Sequence, residues 1–299
     1  MAATRRLKRS AVYLTLRFAS AVLAVLPERA AVELGRLGGW LAWLFAGDRK
    51  KMANRHMRRV GAADEAPGQA RSVFVAYGRY WAEALWMRPR RARSVVERVS
   101  VDGLERVTDA RDAGTGMVFA LPHVGNWEVA GTIARREEIE LVAVAEKLGS
   151  KRLVEWFSRL RNMLGIQIVL ADGSRDVFRK LFGVIGRGGA VALVTDRDLS
   201  GNGAEVEFFG EMTTLPTGAV TLGVRTGAPV FPVGSFFKEK RGHHIVVGPP
   251  IQIPNDGSTE ERMAAGMTAL AVALEDLVRL APEQWHLLQP NWPSDREPA

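Results

Sequence analysis

Short apolar runs alternate with longer segments of helical periodicity over most of the chain after residue 97. The runs have the length of buried strands, and the segments between them repeat apolar positions at the spacing of an amphipathic helix. The predicted strands are Met117–Leu121, Leu141–Ala145, Ile166–Leu170, Ala190–Val194, Val230–Val233 and His244–Val247. The predicted helices include 70–89, Asn126–Arg136, Lys151–Leu164, Arg175–Ile185, Thr217–Thr226 and Thr259–Ala281. This alternation predicts an α/β fold with a central, mostly parallel sheet flanked by helices.

The first 60 residues follow a different pattern, in which basic residues flank apolar stretches. The stretch Ala11–Leu26 is interrupted by Arg17 and ended by Pro27, so it falls short of the roughly 20 apolar residues of a spanning helix. A second stretch, Leu34–Phe45, contains two tryptophans and precedes six basic residues. Together they predict amphipathic helices that lie in the bilayer interface, with basic groups toward anionic headgroups. The alternative is that these helices pack on the protein's own core with their charges solvated.

The charge distribution divides the chain in the same place. The 299 residues include 41 Lys and Arg against 33 Asp and Glu, a net charge of +8. Residues 1–60 contain 13 of the basic residues and three of the acidic ones, so the remainder is close to neutral. We predict a membrane-associating region over 1–60 and one α/β domain over 61–299. No nucleic-acid-binding motif accompanies the basic residues, so no nucleic-acid partner is predicted.

Several kinds of chemistry are excluded by the residues present. The chain has no cysteine, which removes disulfides, zinc–cysteine sites and a thiolate nucleophile. It also contains no G-x-S-x-G nucleophile elbow, no G-x-x-x-x-G-K-[ST] phosphate loop and no complete G-x-G-x-x-G motif. His243 and His244 are adjacent in a strand and point to opposite faces, which makes a poor metal site. Neither a metal nor a bound cofactor is therefore predicted.

The most informative chemistry follows the predicted strand Met117–Leu121. His123 comes two residues after this strand, and Gly125 precedes a helix that opens near Asn126. Open α/β sheets place their sites at such carboxyl ends. Glu128 lies early enough in the helix for its carboxylate to fold back onto the imidazole and raise the basicity of the other nitrogen. The pair predicts a general base that takes a proton from a substrate hydroxyl; the alternative is a buried loop histidine with a structural role.

The run ALPHVGNWE at 120–128 resembles the H-x-x-x-x-D/E motif of membrane glycerolipid acyltransferases. Within that superfamily the chain is similar to the branch of the bacterial lipid A acyltransferases and the actinobacterial phosphatidylinositol mannoside acyltransferases. The resemblance extends in order over most of residues 77–292, whereas the F-P-E-G-T-R motif of glycerol-phosphate acyltransferases is absent. The matching segments are YGRYW at 77–81, VAEKL at 144–148, DRDLSGNGAEVEFFGEMTTLPTGAVTLGVRTGAPVFPV at 196–233 and WHLLQPNW at 285–292.

The resemblance implies transfer of a fatty acyl group, with palmitoyl favoured, from acyl-CoA to a mannose hydroxyl of phosphatidylinositol mannoside. It implies a peripheral enzyme on the cytoplasmic face of the plasma membrane, with acyl-CoA as co-substrate. His123 would be the general base, Glu128 its orienting partner, and no covalent enzyme intermediate would form. Two alternatives stay open: an acyltransferase for another glycolipid or a lysophospholipid, and a non-catalytic module that binds membrane surfaces.

Four further residues align with substrate-site positions of this branch. Glu146 aligns with an acidic residue near the acceptor pocket, and Arg161 aligns with a substrate-site arginine. Asp196 and Arg197 align with a motif expected to read Glu-Arg-Asp, so the side chain at 196 is one methylene shorter than expected. Glu128 also stands where the mannoside enzymes usually carry Asp. For Asp196 and Arg197 the alternative is a structural ion-pair cluster, and Glu146 has the alternative of pairing with a nearby cation.

Overall fold

The computed structural model describes residues 2–61, 66–146, 150–171, 175–198, 201–239 and 241–296. Within these residues, five helices precede the first strand. Pro27 occupies the N-cap position of the second, and Pro89 is the first residue of the fifth. Proline is tolerated at the start of a helix because the N–H that it lacks would have no partner within the helix there. The five are α1 (Ala2–Val25), α2 (Glu28–Leu44), α3 (Asp48–Arg59), α4 (Ala66–Trp86) and α5 (Pro89–Val96).

Strands and helices alternate through the rest of the chain, and the predicted α/β class is confirmed. The elements are β1 (Val99–Asp102), α6 (Leu104–Asp112), β2 (Met117–Leu121), α7 (Trp127–Arg136), β3 (Leu141–Glu146), α8 (Lys151–Met163), β4 (Ile166–Ala171), α9 (Arg175–Gly186), β5 (Ala190–Val194), β6 (Ala204–Phe208), β7 (Glu211–Leu215), α10 (Gly218–Thr226), β8 (Val230–Phe237), β9 (His243–Val247) and α11 (Thr259–Leu280). Two short 3₁₀ turns follow, Pro282–Gln284 and Pro293–Arg296.

Seven strands form one sheet in the order β1-β9-β8-β2-β5-β3-β4. All neighbours are parallel except β8 and β9, which confirms the mostly parallel sheet. Strands β6 and β7 form a separate antiparallel hairpin. Strands β2 and β8 are buried along their whole length, because helices cover both faces of a parallel sheet.

Alternate residues of β2 belong to different halves of the core. Val118 and Ala120 pack with residues of α10 and α11, whereas Met117 and Phe119 pack with residues of α7 and α8. This division follows from the twofold periodicity of a strand, which points successive side chains to opposite faces. Helix α7 therefore lies over the sheet face that carries Phe119.

Strand β1 and the hairpin β6–β7 were not among the predicted strands, and β8 continues beyond its predicted end at Val233. The extra residues of β8 include Gly234 and Ser235, which weaken the apolar signal but pair in register with β9. Strand β1 is partly exposed at the sheet edge, so pairing with β9 rather than hydrophobicity defines it.

Helix α4 packs against α1, α2 and α3, and α3 also contacts the C-terminal segment directly through His56 and Arg59. Helices α2 and α4 approach closely at glycines: a Cβ on Gly39 would lie 2.1 Å from the carbonyl oxygen of Phe74, and one on Gly78 would lie 2.2 Å from that of Gly35. Among the described helices, none is both long and apolar enough to cross a membrane.

Candidate active site

His123 and Asp196 meet at the carboxyl ends of two neighbouring strands. The His123 Nδ1 atom lies 2.6 Å from Asp196 Oδ1, and the His123 backbone N–H donates to Asp196 Oδ2 at 2.9 Å. Strands β2 and β5 are parallel, with Leu121 opposite Val194. Each site residue lies two positions beyond its strand, so the same offset places the two side chains together.

Asp196 is a buried, ionised acceptor. Burial raises its pKa, but the charge and hydrogen bonds of His123 and a hydrogen bond from Trp285 lower it more, so the net shift is downward. The Trp285 indole N–H donates to Asp196 Oδ2 at 2.8 Å. An anion at Nδ1 keeps the imidazole proton on that nitrogen and leaves Nε2 free to accept a proton. His123 itself is partly exposed, as its predicted role as a general base requires.

In the structure Asp196, and not Glu128, is the carboxylate that contacts His123 Nδ1. Glu128 Oε1 instead accepts from Arg161, at 2.9 Å from Nη2 and 3.0 Å from Nε, and from the Tyr80 hydroxyl at 3.3 Å. The start of α7 explains the difference: Asn126 Oδ1 caps the helix by accepting the Glu128 N–H at 3.2 Å, which directs the carboxylate toward α8 and α4. A catalytic role for Glu128 stays a prediction.

Arg161 and Tyr80 surround the Glu128 carboxylate with donors. Burial lowers the pKa of Arg161, but the charge and hydrogen bond of the neighbouring Glu128 outweigh it and raise the net value. Burial and the neighbouring Glu128 hold the pKa of Tyr80 well above its usual range. Tyr80 is therefore a neutral donor, and Glu128 and Arg161 form a mostly buried ion pair in the cavity that His123 also lines.

The other two predicted site residues lie near the same end of the sheet. Arg197 donates to the side-chain oxygen of Gln289, and both residues line the cavity described below. Glu146 is the last residue of β3, but its side chain lies outside the described part of the structure. Arg161 and Arg197 are therefore brought together with His123, and the placement of the Glu146 side chain stays a prediction.

A cavity of about 1070 Å³ opens beside His123. Glu128, Arg161 and Arg197 contribute to its polar part. Its apolar part covers the sheet face beneath α7 and reaches the amino ends of β3 and β4; it is lined among others by Phe119, Leu121, Leu141, Ala143, Ile166 and Ile168. This arrangement can hold a long apolar group with one end next to the base. Among the described residues, no group of three or more His, Asp and Glu side chains is arranged to hold a metal ion.

His286 is a cavity residue that the sequence reasoning missed. Its backbone N–H donates to the His123 carbonyl at 2.8 Å, and its ring lies 5.0 Å from that of Tyr77 and 5.7 Å from that of Tyr80, centroid to centroid. Burial, with a smaller contribution from His123, lowers the pKa of His286 to about 3, so its imidazole is neutral at neutral pH. The segment WHLLQPNW carried the signal, since it matched a known family but contributed no predicted site residue.

Comparison with known proteins gives one family match and several relatives. The model of bacterial lipid A biosynthesis acyltransferases matches residues 2–294. A phosphatidylinositol mannoside acyltransferase of Mycolicibacterium smegmatis is 30% identical over 282 residues, which are 92% of this chain and 89% of that protein. Proteins of the same name from two Mycobacterium tuberculosis strains, CDC 1551 and H37Rv, are 36% identical over 224 residues and 35% identical over 223. In both cases the aligned part is 74% of this chain and 69% of the relative.

Proposed function

We propose, from the premise that the chain belongs to the bacterial lipid A biosynthesis acyltransferase family, that it acylates a mannose hydroxyl of phosphatidylinositol mannoside. The acyl donor is acyl-CoA, with palmitoyl favoured. The observation that carries this proposal is the His123–Asp196 pair at the polar end of a large apolar cavity. The names of the mycobacterial relatives support the choice of acceptor.

In the proposed reaction, His123 Nε2 takes the proton of the acceptor hydroxyl as its oxygen attacks the thioester carbonyl. The tetrahedral intermediate collapses with cleavage of the C–S bond, and the thiolate of CoA leaves with the proton from His123. Asp196 stabilises the imidazolium that forms between the two proton transfers. No covalent enzyme intermediate is needed, because the thioester is already activated and the chain supplies position and a base.

The polar groups around the base suit the two substrates. The Glu128–Arg161 pair presents hydrogen-bonding groups of both kinds in the cavity that His123 lines, as a sugar ring with several hydroxyls requires. Glu146 remains a proposed acceptor-binding residue. Arg49 and Arg197 line the cavity and supply positive charge for the phosphates of CoA. The apolar floor supports binding of the acyl chain.

The N-terminal helices support a peripheral position on the membrane. Phe18 and Val25 of α1 are 73% and 80% exposed, and Phe45, just after α2, is 86% exposed. Transfer of large apolar side chains from water into the headgroup boundary is favourable, and nearby basic residues are attracted to anionic lipids. Because acyl-CoA is supplied from the cytoplasm, we place the enzyme on the cytoplasmic face of the plasma membrane.

The direct test is transfer of label from radiolabelled palmitoyl-CoA to purified phosphatidylinositol mannosides. Wild type should label the glycolipid and His123→Ala should not. His244→Ala is the matched control, since His244 lies on β9 and bonds Ser100 at 2.8 Å outside the cavity.

Other lipid acceptors run in parallel distinguish the alternatives. Label in another glycolipid or a lysophospholipid alone would retain the chemistry and change the acceptor. If His123→Ala transfers label as fast as wild type, the assignment of the base is wrong. If wild type transfers label to none of the acceptors, a non-catalytic membrane-binding module becomes the better hypothesis.

A further inference from the structure

A buried carboxylate on α4 connects the helical N-terminal part to the catalytic loop. Glu83 Oε1 accepts from Arg79 Nε at 2.9 Å, and Oε2 accepts from Asn126 Nδ2 at 2.9 Å and from His243 Nε2 at 2.8 Å. Burial raises the pKa of Glu83, but His243, Arg79 and Asn126 lower it to about 2. Glu83 is therefore a buried anion whose hydrogen-bond donors come from α4 itself, from the start of α7 and from β9.

Asn126 connects the Glu83 carboxylate to the first turn of α7. The Asn126 backbone is fixed on β8, because its N–H donates to the Ser235 carbonyl at 3.1 Å and the Ser235 hydroxyl donates to its carbonyl at 2.7 Å. Only the side-chain amide can still rotate, and Glu83 demands its NH₂ group. The amide oxygen therefore faces the Glu128 N–H and accepts its hydrogen bond, which caps α7. The charge of Glu83 thus selects the one amide orientation that caps α7.

A second contact from α4 reaches the same place. Tyr80, one turn before Glu83, donates its hydroxyl to the Glu128 carboxylate. Residues three apart lie on one helix face, so α4 holds both the main chain and the side chain at the start of α7. The residues that these two contacts reach, Asn126 and Glu128, lie one and three positions after Gly125. Gly125 belongs to the loop that carries His123.

We propose that Glu83 is a positioning residue of the acyl transfer, acting through the side-chain amide of Asn126 to hold Glu128, Arg161 and the His123 loop in their reactive arrangement. The inference rests on the proposed function. It assigns Glu83 no contact with substrate.

The variant Glu83→Gln tests this charge without changing the shape. Its oxygen will face Arg79, because a hydrogen bond from a guanidinium is stronger than one from an amide, so its NH₂ will face Asn126 and His243. His243 can adapt by moving its proton to Nδ1, which has no partner among the described atoms. Asn126 can adapt only by rotating its amide, which turns an NH₂ group toward the Glu128 N–H and removes the cap.

The double variant Glu83→Gln with Asn126→Asp should restore the cap. The Asp carboxylate accepts from the Gln NH₂ on one oxygen and from the Glu128 N–H on the other, and the buried charge of the pair is the same as in wild type. Asn126→Asp alone places two carboxylates in contact in a buried site and should be defective. The geometry therefore predicts two damaging single changes that compensate each other.

The experiment measures kcat, KM and melting temperature for wild type, both single variants and the double variant in the palmitoyl-CoA assay. We expect kcat to fall about 10- to 100-fold in Glu83→Gln with little change in KM, because a displacement of about 1 Å costs a rate of that order. The double variant should return to within about threefold of wild type. Glu140→Gln, which removes a Glu–Arg pair with Arg187 at the amino end of the sheet, is the matched control and should be unchanged.

Hydrogen exchange of the peptide covering 126–130 supplies a readout that needs no activity. Exchange should accelerate in Glu83→Gln and return to the wild-type rate in the double variant. Wild-type kcat in Glu83→Gln, or a double variant as poor as the single ones, would overturn the proposal. If wild type transfers no label at all, the proposed function fails, and the exchange rates still decide whether Glu83 acts through Asn126.

Discussion

Asp196→Asn should remove nearly all activity from a protein that remains folded. Asparagine has the shape of aspartate but one acceptor oxygen and one NH₂ group. Asp196 Oδ2 accepts from two donors that the fold fixes, the His123 backbone N–H at 2.9 Å and the Trp285 indole at 2.8 Å. The asparagine oxygen will therefore take that position, and its NH₂ will face His123 Nδ1.

The consequence for the base follows from the tautomer. An NH₂ donor at Nδ1 requires that nitrogen to accept, so the imidazole proton moves to Nε2, the atom that must take the hydroxyl proton. The corresponding change in a Ser-His-Asp triad lowers kcat about 10⁴-fold, which is about 5 to 6 kcal/mol of transition-state stabilisation. All three hydrogen bonds at residue 196 can still form, so the free energy of unfolding should fall by only about 2 kcal/mol or less.

The assay is the initial rate of label transfer from palmitoyl-CoA to phosphatidylinositol mannoside, with urea unfolding of the same preparations. Asp102→Asn is the matched control, because Asp102 pairs with His244 at 3.2 Å on the edge of the sheet; its kcat should equal that of wild type. A rate for Asp196→Asn within about tenfold of wild type would refute the tautomer argument. So would a rate that falls only in proportion to a loss of folded protein.

Three other changes probe the ion pair, a buried histidine and the membrane face. Glu128→Gln leaves Arg161 without an anion in a mostly buried site and should lower the free energy of unfolding by about 3 kcal/mol in urea titrations; an unchanged midpoint would contradict this. The pKa of His286 is lowered from 6.5 to about 3 in the folded protein, so between these two pH values the unfolded chain binds a proton that the folded protein does not. The free energy of unfolding therefore falls as the pH is lowered from 6.5 to about 3, by up to about 5 kcal/mol. His286→Phe should flatten this part of the stability–pH curve, and a curve that keeps its slope would show that other groups cause it. Phe18→Glu should lower the affinity for anionic vesicles, measured by co-sedimentation, roughly tenfold or more. Val272→Glu, at an exposed site on α11, should leave this affinity unchanged. Equal effects of the two changes would argue against α1 as the membrane contact.

The strands that build the site were predictable because they are continuous apolar runs. Met117–Leu121 and Ala190–Val194 have the predicted bounds in the structure, since an interior strand of a parallel sheet needs little more than its hydrophobicity. His123 and Asp196 each follow one of these two predicted strands by two residues. Their contact was not predicted, because it depends on β2 and β5 being neighbours, and strand order is decided by packing over the whole sheet.

The same limitation explains why Glu128 was assigned to His123. Closeness in sequence suggested the pair, but a helix cap fixed the direction of Glu128, and the partner that caps the helix takes its own orientation from Glu83. Tyr80 lies 48 positions before Glu128, and Glu83 lies 43 positions before Asn126. Residues that act through such distant contacts leave no local pattern, whereas a strand followed by a histidine does.

The loop that carries His123 is fixed on several sides by groups that do not depend on substrate. The Gly125 N–H donates to the Gln284 carbonyl at 3.0 Å, and the His123 carbonyl accepts from the His286 N–H at 2.8 Å, so the segment after α11 holds the loop from one side. Gly125 has a φ of 55°, and a Cβ there would lie 1.9 Å from the Ser235 carbonyl oxygen, so only glycine allows the loop to approach β8 this closely. With Asp196 on a further side, the base is oriented before either substrate binds. For the proposed reaction, preorganisation of this kind leaves the binding free energy of the acyl chain and the sugar to align the hydroxyl with the thioester rather than to order the loop that carries His123.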